Sequence, residues 1–157
     1  MQTFSDRTGR LWTVDINVTA LKRVRGLTDT DLLDTEKFFA LLTDPVGFCD
    51  ALYALCKPQA DKEGLDDEAF GQAMDGPTIA AAKQAVVAEM QDFFQSSGPQ
   101  AAESFKIALQ KHNQMMDRYL EWGRKKIEDP KLLTQFEAML EKLDAEVDAK
   151  IRNAFGS

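Results

Sequence analysis

The first sixteen residues alternate between apolar and polar positions. Trp12, Val14 and Ile16 share one face of an extended segment, and Leu11, Thr13 and Asp15 share the other. Thr3, Phe4 and Ser5 precede them across Asp6-Arg7-Thr8-Gly9, a polar cluster with a glycine available for positive φ. This pattern predicts a β-hairpin. A lone hairpin is marginal in water, so its apolar face is expected to pack on the segments that follow.

From Asn17 the period becomes helical. Asn17 is a good N-cap, and Val18 to Arg25 predicts a short helix ended by Gly26. Leu21 and Val24 face inward, with Lys22, Arg23 and Arg25 outward as a solvated basic face. Asp31 to Leu42, rich in leucine and phenylalanine, predicts one or two short helices. Asp44-Pro45 is a start signal, a capping aspartate followed by proline at the first helical position. The helix it opens runs from Val46 to about Lys57 and is apolar nearly all round, which places it at the centre of a core. Asp66 or Asp67 caps a short helix through Phe70 and Met74. Gly76-Pro77 opens a longer one, Thr78 to about Gln95, which Ser96-Ser97-Gly98-Pro99 terminates.

Two long amphipathic patterns follow. Phe105, Leu109, His112, Met116, Gly123 and Ile127 form one stripe. After Asp129-Pro130, a second capped-proline start, Leu133, Phe136, Leu140, Leu143, Val147 and Ile151 recur at near-heptad spacing. A short connection between two such helices predicts an antiparallel helical hairpin. The expected architecture is mainly α. A small N-terminal β-hairpin packs on a helical domain over residues 1–97, and a coiled-coil-like hairpin arm occupies 98–157.

Composition narrows the class. A chain of 157 residues that is 44% apolar can bury a core without disulfides or metal, and its 29% charged residues are too well mixed with apolar ones for a disordered chain. The formal charge of −7 opposes nonspecific binding to nucleic acid. From Asp61 to Ser97 two lysines stand against eight acidic residues, whereas from Gly98 onward ten of each sign balance, so charge too shifts at the break. No apolar run approaches the roughly 18 residues needed to span a bilayer, and MQTFSDRTGR lacks a signal-peptide core, so a cytoplasmic protein without membrane contact is expected. Cys49 and Cys56 lie two turns apart on one predicted helix, about 11 Å of rise and too far for a disulfide, and read as small buried hydrophobes.

Candidate chemistry is sparse. His112, the one histidine, lies on an apolar stripe, where it reads as a core or interface residue rather than a general base. Two cysteines and one distant histidine match no zinc pattern. Asp29, Asp31, Asp34 and Glu36 hint at a calcium loop but lack its central glycine. No glycine-rich phosphate cradle is present. The expectation is a protein with no catalytic residue, no metal and no cofactor. What remains is surplus apolar surface. Met115, Tyr119 and Trp122 form a second stripe on the first long helix, with Trp122 about 120° from Met116 and out of reach of the paired helix. This stripe either packs onto the N-terminal domain or docks a partner or a second copy. In the latter case these three are the candidate partner-binding residues, and the arm is open to self-association as a homo-oligomer.

The order FSDRTGRLWTVDINV, TALKRVRGLTDTDLLD, DPVGFCDALYALCKPQA, GLDDEAFGQAMDG and a helix ending QDFF resembles that of tail assembly chaperones of tailed phages and prophages. The resemblance covers roughly Thr3 to Phe94 and not the arm. It implies a non-enzymatic factor that binds the long tape-measure protein and keeps it soluble until tail-tube subunits polymerise around it. It carries over no site residue. The competing expectations are a structural tail or adaptor protein of the virion, and an acidic inhibitor presenting the carboxylates of Asp61 to Asp75 to a host factor.

Overall fold

The computed structural model describes residues 1–155. Among them are an antiparallel strand pair, β1 (Gln2–Ser5) and β2 (Leu11–Val14), and seven helices: α1 (Val18–Thr28), α2 (Thr35–Thr43), α3 (Pro45–Lys62), α4 (Asp67–Gln72), α5 (Gly76–Ser96), α6 (Pro99–Ile127) and α7 (Pro130–Phe155). The fold is mainly α with an N-terminal β-hairpin, as the patterning predicts. The chain forms two compact units, Met1–Gln110 and Lys111–Ser157.

In the first unit, the hairpin register pairs Phe4 with Trp12, and Trp12, Val14 and Ile16 are all buried. Asp6 organises the turn. Its carboxylate accepts hydrogen bonds from the backbone N–H groups of Thr8 (2.8 Å) and Arg10 (3.0 Å), the Thr8 hydroxyl (2.6 Å) and the Trp12 indole Nε1 (2.9 Å). Gly9 follows at φ 85. Burial pushes the Asp6 carboxyl up, but the bonds from Thr8, Trp12 and Arg10 outweigh it and hold its pKa below the ordinary carboxylate value. Across the hairpin lies α5, whose buried Glu89 accepts from the Ile16 N–H (3.3 Å) and pairs with the Met1 amino group.

The starts predicted at Asn17, Asp44 and Asp66 are observed, and Asp34 and Asp75 cap α2 and α5 in the same way: each accepts backbone N–H bonds from the first turn that follows. Two helix ends differ from expectation. α1 does not stop at Gly26 but continues to Thr28, because Asp29 adopts the left-handed conformation (φ 56) that ends the helix and the Thr28 hydroxyl bonds back to the Val24 carbonyl (2.8 Å). α3 does not stop at Lys57 but continues through Pro58 to Lys62. A proline inside a helix strips the carbonyl four residues earlier of its donor, here Ala54. Arg23 of α1 replaces that donor, its Nη1 bonding to the carbonyls of Ala54 (2.9 Å) and Leu55 (3.1 Å). Arg23 is therefore a structural tie and not part of a solvated face.

α3 is the centre of the core, packed by α1, α2, α4, α5 and β2, with Phe48, Leu52 and Cys56 almost fully enclosed. Asp44 ends α2 and caps α3, and the chain bends by 114° there. No single helix among the described residues is long and apolar enough to cross a membrane.

α5 ends at Ser97, and Gly98 (φ 120) turns the chain, at the break the sequence marks. The division between compact units falls later, after Gln110, because the first turns of α6 belong to the core. Phe105 is 3% exposed, its ring 4.7 Å from Phe94, 5.8 Å from Phe38 and 6.0 Å from Phe39.

In the second unit, the end of α6 and α7 are joined by Glu128 and Asp129, and Asp129 caps α7 by accepting from the Lys131 N–H (2.9 Å). The antiparallel packing expected of the two helices is not formed. No described residue of α7 is buried, and Leu133, Phe136, Leu140, Leu143, Val147 and Ile151 are 47–60% exposed. Periodicity identifies the apolar face of a helix but not what covers it. Gly156 and Ser157, the last residues of the expected arm, lie outside the described residues.

Candidate functional site

The stripe on α6 is covered only in part. Phe105 is buried, and Leu109, His112 and Met116 are half-buried, whereas Ile127 is 72% exposed. Burial pushes the His112 imidazole below its ordinary pKa. The neighbouring stripe is open. Met115, Tyr119 and Trp122, the three residues singled out from the sequence, lie 57–64% exposed on one side of the helix. Tyr119 and Trp122 stack with ring centroids 6.2 Å apart, and the Lys126 ammonium sits 5.1 Å from the Trp122 ring. Aromatic stacking and a cation over the ring are both favourable contacts, and the three residues remain more than half exposed with them.

Exposed apolar residues extend beyond these three. Leu120 and Ile127 are exposed on the Met116 side of α6, and the whole α7 seam is exposed too, with Leu132, Met139 and Phe155 extending it. Sequence reasoning assigned the α7 seam to the interior of a hairpin and so missed it as surface. Exposed apolar rows of this kind on a folded chain mark an interaction site or an aggregation liability.

The rest of the surface carries no comparable arrangement. A cleft of about 400 Å3 between β2, α1 and α3 is lined by Thr13, Asn17, Arg23, Cys56 and Gln59, among others. Its polar groups are occupied by the fold: Asn17 caps α1, Arg23 holds α3 carbonyls, and Gln59 accepts from Thr13 N–H and donates to the Leu11 carbonyl (2.8 Å). Burial pushes the Cys56 thiol up to about 12, and burial with nearby Asp50 and Asp67 pushes Cys49 up as well, the reverse of an activated nucleophile. Asp31 and Asp34, of the calcium-loop pattern, are engaged with Arg25 and with the α2 N-terminus. Among the described residues no group of three or more acidic, histidine or cysteine side chains is placed to hold a metal.

Comparison with family models, curated proteins and solved structures finds no match.

Proposed function

We propose that this protein is a non-enzymatic binding factor that shields the apolar face of a helical protein partner, and more narrowly a phage tail assembly chaperone whose client is the tape-measure protein. One observation carries the reading: the second unit presents two amphipathic helices whose large apolar residues, Met116 apart, are about half exposed or more, with α7 burying none of its described residues. Helix-in-groove and helix-on-helix recognition use such i, i+3, i+4 and i+7 anchors, and methionine beside aromatics adapts to varied partner surfaces. A tape-measure protein is long, helical and apolar-faced, so it needs a cover of this chemistry before the tube forms. The narrower reading is supported by the resemblance over Thr3 to Phe94, although the apolar face itself lies beyond that stretch.

The test is coexpression with the tape-measure protein encoded alongside this chain. The expected result is a soluble complex that co-purifies, is lost when Met115, Tyr119 and Trp122 are replaced together by serine, and is absent from finished virions. A tape-measure protein that stays insoluble and unbound overturns the client assignment. Stoichiometric presence of the chain in virions instead makes it a structural tail component.

A further inference from the structure

We infer that the α7 seam is covered by α6 of a second copy of this chain, the two helices lying parallel, in a dimer held by matched rows of charge. The inference does not rest on the client reading, but it uses the same α6 face, so a client would take that face only by displacing the second copy. It begins from where the charged residues of the second unit fall around each helix. At about 100° per residue, Glu137, Glu141, Asp144 and Asp148, spaced four, three and four apart, line a single edge of the α7 seam. Lys111, Arg118 and Lys125 recur every seven residues along a single edge of the Met115–Tyr119–Trp122 face. All seven side chains are exposed.

The handedness of the two rows decides how they can meet. With each N-terminus up and the apolar face toward the viewer, the acidic row runs to the left of the α7 seam. In the same view the basic row runs to the right of the α6 face. Two facing helices that run the same way bring left against right, and two that run opposite ways bring left against left. The rows therefore match only in a parallel pair.

This chain's own α6 cannot supply that pair. The connection to α7 is Glu128 and Asp129 alone, and a link so short permits only an antiparallel neighbour. Antiparallel closure on the Met115–Tyr119–Trp122 face would lay the α7 carboxylates over Met116 and Gly123 and leave Lys111 and Arg118 unmatched, Lys125 being paired with Glu121 of its own helix (3.0 Å). A second α7 is no better a cover. Opposed, its acidic row meets the same row; aligned, that row meets Leu132, Met139, Glu146 and Lys150, a single cation against four carboxylates. A second copy's α6 offers apolar rings and opposite charge together, and a two-fold axis makes the contact twice, α6 on α7 and α7 on α6.

The test uses the full chain in three forms, with sedimentation equilibrium as the readout. In one variant the basic row is reversed by Lys111→Glu, Arg118→Glu and Lys125→Glu. In the other the acidic row is reversed by Glu137→Lys, Glu141→Lys, Asp144→Lys and Asp148→Lys. The wild-type chain is expected to sediment as a dimer. Each variant alone is expected to show a dimer Kd raised on the order of a hundredfold, as every attractive row contact becomes repulsive. Mixed one to one, the two variants are expected to recover a heterodimer near wild-type affinity, because both contacts are then matched. The substituted positions are exposed, so far-UV circular dichroism of the variants should equal that of the wild type. A monomeric wild-type chain overturns the inference. So does a dimer that survives reversal of the basic row, which would mean α7 on α7, and so does failure of the mixture to recover the dimer, which would mean the rows do not meet between chains.

Discussion

Trp12 and Phe136 are both large aromatics on the apolar face of an amphipathic element, yet Trp12 is fully enclosed and Phe136 is 60% exposed. The contrast holds across the units that carry them. In the first, a strand pair and helices surround α3, and the backbone group that Pro58 leaves without a partner is met by Arg23. In the second, the α7 row, of equal regularity, has no residue buried in the single chain. Amphipathic patterning alone thus does not make a core. A third element, or a second molecule, has to close it.

The largest effect that would test this contrast is aromatic truncation. Trp12→Ala is expected to lower unfolding free energy by about 3–5 kcal/mol in urea titration, since it removes a closed side chain and takes from Asp6 one of its four hydrogen bonds. Phe136→Ala is expected to change single-chain stability by less than about 0.5 kcal/mol. A comparable loss at Phe136 would mean that its seam is already covered within one chain.

Next is Asp6→Asn, expected to cost about 1–3 kcal/mol at neutral pH because a buried acceptor of four bonds loses half its capacity. The folded-state pKa of Asp6 is lowered, so its stabilisation is present above the unfolded aspartate value, about 3.9, and is lost as pH falls through the folded value. The gap between wild type and variant should therefore close in acid, read as converging urea midpoints.

Arg23→Met is expected to cost about 1–2 kcal/mol by leaving the Ala54 carbonyl unbonded. In a Pro58→Ala background the restored amide bonds that carbonyl, and the cost should shrink. An additive double-mutant cycle would show that Arg23 acts elsewhere. The smallest effect is at the α3 start. A Cβ on Gly47 would meet the Asp44 carboxylate at 2.6 Å, so Gly47→Ala should loosen that cap and lower stability by about 1 kcal/mol, measured by thermal unfolding.

The first unit was largely legible because its signals are local. Asn17, Asp44 and Asp75 bond to amides two or three residues away, and Trp12, Val14 and Ile16 need only a strand period to share a face. Gly26 and Pro58 misled for the opposite reason. Each is a helix terminator by local rule, and each was overridden, Gly26 by the cap three residues on and Pro58 by a donor from another helix. The candidate site divides the same way. The exposed stripe of Met115, Tyr119 and Trp122 follows from rotation along one helix, whereas the open α7 seam depends on whether α6 can close over it. The side of the seam on which Glu137 and Asp144 fall was in the sequence all along, and it bears on that question.

The joint at Asp44 sets a limit on length. Because one residue both finishes α2 and starts α3, no slack separates them, and a single residue inserted into the last turn of α2 would rotate what precedes it by about 100° and swing Phe38 and Leu41 out of the core. The polar turn around Gly64 has no such double duty. Chain-length variation among proteins sharing this fold is therefore expected to accumulate near Gly64 and to spare the residues on either side of Asp44.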